Sequence, residues 1–141
     1  MTVPMVLLPV FCLVGLSLAL MVGLAVTRRG VFRSGRLKPQ DIALGWPDDV
    51  GRAAQVGNCL NNQFQLPVLF YMLVAIALPL RKMDLLLVLL SWVFVITRYA
   101  HAGIFVTSNN VNARSAAFAA GCFVVIVMWI WLAIRILFPV V

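Results

Sequence analysis

Between Pro4 and Val26 the chain carries no charged side chain, and a helix of that length crosses the roughly 30 Å hydrocarbon core of a bilayer. The stretch lacks the basic start of a secretory signal, and its apolar core exceeds the usual length of about 7–15 residues, so it reads as a retained first transmembrane helix. Three further apolar stretches follow. Of the 141 residues, 64% are hydrophobic and 11% charged, against about 25% charged in a soluble domain. The sequence therefore predicts an all-α integral membrane protein, a four-transmembrane-helix bundle formed by one domain over 1–141. Its helices fall at about 4–26, 53–80, 84–105 and 115–138, with a cytoplasmic loop over 27–52.

The net charge of +7 does not point to nucleic acid, because the basic residues lie between apolar runs and match no DNA- or RNA-binding motif. They act as topology determinants beside anionic lipid. Arg28, Arg29, Arg33, Arg36, Lys38, Arg52 and Arg114 fall in the first and third loops, against Arg81, Lys82 and Arg135 on the opposite side. The positive-inside rule then puts those two loops in the cytoplasm and both termini in the periplasm of a bacterial inner membrane. Arg135 is expected to snorkel from the end of the last span. Cys12, Cys59 and Cys122 are odd in number and widely spaced, so neither a disulfide framework nor a metal site is expected.

The polar residues inside the spans carry the functional signal. Arg98 and His101, three apart, share a helix face with Phe105, and ionisable groups at such depth must line a polar cavity or a subunit interface. Gln55, Asn58, Asn62 and Gln65 follow i, i+3, i+7, i+10 spacing, one stripe along the second span. Carboxamides there need partners, either within the bundle or on a polar ligand. Arg114 and Ser115 open the fourth span. The three features lie at one depth. His101, without a neighbouring Cys, Asp or Glu, is a poor metal ligand; a hydrogen bond to a buried carbonyl or to an amide of the stripe suits it better.

Three segments, Asn61–Tyr71 (NNQFQLPVLFY), Arg98–Phe105 (RYAHAGIF) and Asn112–Ser115 (NARS), resemble the MAPEG family, membrane-associated proteins in eicosanoid and glutathione metabolism. The resemblance implies a homotrimer with sites between subunits near the cytoplasmic face, where glutathione-using members deliver the glutathione sulfur to a lipophilic electrophile. It implies that Arg114 stabilises the thiolate, with Ser115 beside it as the second catalytic position. Arg98 would pair with a glutathione carboxylate, and Asn62 and Gln65 match an Asn-x-x-acid motif. Gln55, Asn58 and His101 complete the expected cofactor-binding set.

Three positions depart from that pattern. Phe105 and Phe118 stand where glutathione-using members carry tyrosine, and Gln65 stands where they carry an acid. The chain contains no Glu. Two other readings therefore accompany the glutathione-dependent transferase or peroxidase. One is a non-catalytic scaffold that binds membrane lipid or another lipophilic small molecule. The other is an accessory subunit of a larger membrane complex, with tryptophans facing the partner.

Overall fold

The computed structural model describes residues 2–138. Its helices are α1 (Val3–Arg33), α2 (Arg52–Asn62), α3 (Leu66–Ala77), α4 (Leu85–Val106) and α5 (Val111–Leu137). α2 and α3 together form the second span, Arg52–Ala77, so four helical spans are long and apolar enough to cross a membrane. α4 packs against α1, α2 and α5 and carries the buried polar residues Ser91, Arg98 and His101. The main core lies at mid-depth, where Leu13 of α1, Phe70 and Leu73 of α3, Phe94 of α4 and Met128 of α5 are fully enclosed. The Phe70 and Phe94 rings meet at 5.2 Å, within the range of favourable offset aromatic pairs. A smaller cluster of Leu20, Val56, Cys59, Ala102 and Phe105 closes the end of the bundle near the loops.

Three boundaries differ from the sequence expectation. The first helix does not stop at residue 26 but continues to Arg33. Arg28, Arg29 and Arg33 are good helix formers, and their long side chains carry charge away from the apolar surface while the backbone stays helical. The fourth span begins at Val111 rather than 115, because the Asn110 side chain accepts from the Ala113 N–H at 3.1 Å and caps the helix there. Its far end, expected at 138, falls at Leu137.

The third difference matters most for the site. The second span is not one helix over 53–80. It breaks at Gln63–Gln65, where the Gln63, Phe64 and Gln65 N–H groups bond only three residues back, and α3 restarts with Pro67 in its first turn. Pro67 has no N–H for the Gln63 carbonyl and its ring would clash with that carbonyl in a continuous helix. The break exposes main-chain acceptors inside the bundle.

At the opposite end, the turn between α3 and α4 closes as a C-cap. Arg81 adopts φ +54° while the Lys82 N–H bonds the Ala77 carbonyl at 2.9 Å. Asp84 then does three things: it caps α4 through the Leu87 N–H at 2.9 Å, accepts from Trp131 Nε1 at 2.8 Å and pairs with Arg135 at 3.3 Å. Arg135 thus does not simply snorkel; it joins α5 to the start of α4. Asp84→Ala removes the cap and both side-chain partners, and we expect a loss of about 2–3 kcal/mol, read as a lower thermal midpoint in detergent. Asp84→Asn retains an N-cap acceptor and should lose about half as much.

Candidate functional site

The break after Asn62, the last two turns of α4 and the first two turns of α5 meet near the loop end of the bundle. Between them lies an open cleft of about 240 Å³ lined by Asn62, Gln65, His101, Phe105, Arg114, Ser115 and Phe118. His101, 3% exposed, ties the walls together. Its Nδ1 lies 2.9 Å from the Arg114 main-chain oxygen. A carbonyl oxygen only accepts, so Nδ1 carries the proton. In the neutral ring Nε2 is then an acceptor, and Asn62 Nδ2 donates to it at 3.4 Å. One imidazole thus joins α2, α4 and α5.

Arg98 lies behind this wall, 0% exposed. Its Nη2 donates to the Asn62 carbonyl at 3.4 Å, one of the acceptors exposed at the break. Its Nε and Nη1 are buried and have no partner. The guanidinium carbon sits 5.7 Å from the Phe118 ring centre. Arg114 is held at the cleft mouth, where Nη1 donates to Asn109 Oδ1 and the guanidinium lies 4.3 Å from the Phe105 ring centre. Phe105 and Phe118 therefore serve as faces for two cations, a role that needs no hydroxyl.

The electrostatic balance is one-sided. Arg114 and the positive end of α5 face the cleft, with Arg98 enclosed behind its wall, yet no acidic side chain lines it. The one ion pair among the described residues, Arg135–Asp84, lies at the other end. A buried cation without a counter-charge pays several kcal/mol in desolvation. The arrangement favours an anionic ligand, with Ser115 the one side-chain hydroxyl on the lining. Among the described residues no group of three His, Cys, Asp or Glu could hold a metal ion.

The carboxamide stripe does not face the cleft as a unit. Gln55 is used inside the bundle, where Nε2 donates to the Phe105 carbonyl. Asn58 lies ~60° round the helix from Gln55 and opens instead toward α1 and the loop, beside Arg28 and Asp48. Gln65 reaches the cleft, but from beyond the break rather than from the same helical stripe. Sequence reasoning missed Gln63, which is 2% exposed with both amide atoms unpartnered. Its signal was available: it stands four residues before Pro67.

The sequence profile of the MAPEG family matches residues 6–134. The chain belongs to the MAPEG family. It is thus a membrane protein of that family, and the match extends over all four spans rather than the three motifs alone. No curated protein and no solved structure matches the chain. What this MAPEG protein shows by itself is a polar, cationic cleft whose walls are tied together by His101. His101→Leu removes both ring hydrogen bonds and leaves the Asn62 amide without that partner. We expect a destabilisation of about 1–3 kcal/mol, partly recovered in His101→Gln, measured as the thermal midpoint of the detergent-solubilised protein.

Proposed function

We propose that this MAPEG protein binds glutathione in the Asn62–Arg114 cleft and presents its sulfur to a lipophilic electrophile, as a transferase or peroxidase. The observation that carries the reading is Arg114 on a cleft without an acid, with a second guanidinium, Arg98, buried behind its wall. Glutathione brings two carboxylates and a thiol whose thiolate is the nucleophile. Arg114 is the cation placed to lower the thiol pKa at the cleft mouth, and Ser115 is the hydroxyl beside it. Arg98 keeps unused N–H donors behind the wall, suited to a carboxylate that displaces the Asn62 wall from it. Gln65 receives the amino group through its amide oxygen, a neutral acceptor in place of a charged one. Asn62 is partly committed to His101 and holds the wall in shape.

A cleft of about 240 Å³ is smaller than the roughly 300 Å³ at which small-molecule sites usually begin. Its openness supports completion by a neighbouring copy in a homotrimer. The basic residues at the end of α1 and in the loop that follows support a cytoplasmic location for this end of the bundle, in a bacterial inner membrane, with both termini periplasmic.

One observation favours a second reading. Phe105 and Phe118 leave Ser115 as the single hydroxyl on the lining, which suits a non-catalytic member that holds an anionic lipophile by charge and aromatic contact.

Arg98→Met separates a ligand-binding arginine from a structural one. An unpaired buried cation replaced by an apolar side chain of similar size is expected to leave stability unchanged or raise it. Without ligand, the Arg98→Met midpoint should therefore equal or exceed that of the parent. With glutathione at about 100 times its dissociation constant, the parent should gain about 2.7 kcal/mol and Arg98→Met nothing. Conjugation of a generic electrophile should disappear in Arg114→Ala. A parent protein indifferent to glutathione would exclude the transferase reading and leave the binding scaffold.

A further inference from the structure

A second cleft opens on the other side of α2, between the end of α1 and the loop that follows it, with a volume of about 320 Å³. It shares no lining residue with the Asn62–Arg114 cleft. Arg28, Trp46, Asp48, Asn58 and Asn61 converge there, so one cation, one anion, an indole and two carboxamides face a single space. The Arg28 guanidinium lies 4.5 Å from the Trp46 ring centre, and Trp46 is itself fixed edge-on against Phe32 at 5.4 Å. Arg28 Nε is buried without a partner. Arg28 and Asp48 form no ion pair with each other, so both charges remain available.

This polar compartment continues into an apolar one. A groove of about 180 Å³ shares Leu24 and Arg28 with the cleft and runs along Met21, Ala25 and Leu60. The junction falls where α1 passes from its uncharged stretch to Arg28 and Arg29, the position at which a membrane helix meets the headgroup region. A zwitterionic chamber at headgroup level, opening into an apolar groove toward the bilayer centre, has the profile of one amphiphile.

We propose that this composite site binds a phospholipid whose headgroup carries a primary ammonium, of the phosphatidylethanolamine type. Arg28 takes the phosphodiester, with Asn58 and Asn61 as amide donors. Asp48 takes the ammonium, and one acyl chain begins along Met21, Leu24, Ala25 and Leu60. The surrounding basic residues alone would favour an anionic lipid; Asp48 in the wall selects a headgroup with a cation. A choline headgroup has no N–H to donate to that carboxylate and is disfavoured against a primary ammonium.

Native mass spectrometry of the full-length protein, titrated with phosphatidylethanolamine, phosphatidylcholine and phosphatidylglycerol of the same acyl chains, tests the site. We expect ethanolamine lipid to bind about fivefold or more tighter than the other two. Asp48→Asn should abolish that preference while phosphatidylglycerol binding holds or rises. Arg28→Gln should weaken phosphatidylethanolamine about fivefold, whereas Arg36→Gln, a basic residue outside the cleft, should change it less than about twofold. Soluble phosphoethanolamine, which lacks the acyl chain, should bind at least about tenfold more weakly than the lipid. The proposal is overturned if phosphatidylglycerol binds best to the parent, a ranking that needs no variant. It is equally overturned if folded Asp48→Asn keeps the ethanolamine preference, or if phosphoethanolamine matches the lipid, which would make this a site for a soluble zwitterion.

Discussion

The guanidinium of Arg98 is the constraint on which this bundle turns. Arginine does not lose its proton in a protein, so a fully enclosed Arg98 brings a permanent charge among four spans. Water cannot reach it, and the structure answers with main-chain oxygen instead of a carboxylate. The break ahead of Pro67 turns the Asn62 carbonyl toward Nη2. The Phe118 ring presents its face, and His101 keeps the neighbouring wall closed by bridging Asn62 and Arg114. Each of these neutral partners accepts part of the charge, and none cancels it. The remaining field is directed at the cleft, where Arg114 adds to it.

α2 acts as a partition between two polar regions. Its side toward α4 carries Gln55 and Asn62 in hydrogen bonds to Phe105 and His101. The side toward the loop carries Asn58 and Asn61 beside Arg28 and Asp48. An amphipathic segment of eleven residues cannot bury both sides in hydrocarbon, because unsatisfied amides there cost several kcal/mol each. The loop folded back through Trp46, and the α4–α5 corner on the other side, provide the polar surroundings that it requires.

The spans were legible in the sequence because hydropathy over twenty residues is a strong signal, and the depth shared by the polar residues was legible for the same reason. Asn62, Gln65, His101, Arg114 and Ser115 do meet on one cleft. The helix ends were less legible, since Arg28–Arg33 can continue a helix as easily as begin a loop, and a single capping residue, Asn110, moves the start of α5 by four positions. The stripe divides for two reasons: Asn58 lies ~60° round α2 from Gln55 and meets a different neighbour, and Gln65 lies beyond a break that the spacing ignores. Pro67 was in plain sight, but the period of apolar residues runs through it and hides the interruption. The Arg28–Asp48 cleft had no linear signature, for its walls come from α1, α2 and the path of the loop between them.

The interrupted second span also bears on how the chain enters the bilayer. It is the least apolar of the four spans, and its first half holds the carboxamides. Partitioning of an isolated segment depends on the sum of its residue transfer energies, and here the polar half opposes what α3 favours. α1, by contrast, is the most apolar span and reaches the translocon first. The contacts of α2 with α1 and α4 therefore do more than stabilise the finished bundle. They give the α2 amides the partners that hydrocarbon lacks, so the depth of α2 depends on its neighbours in a way that the apolar α3 does not.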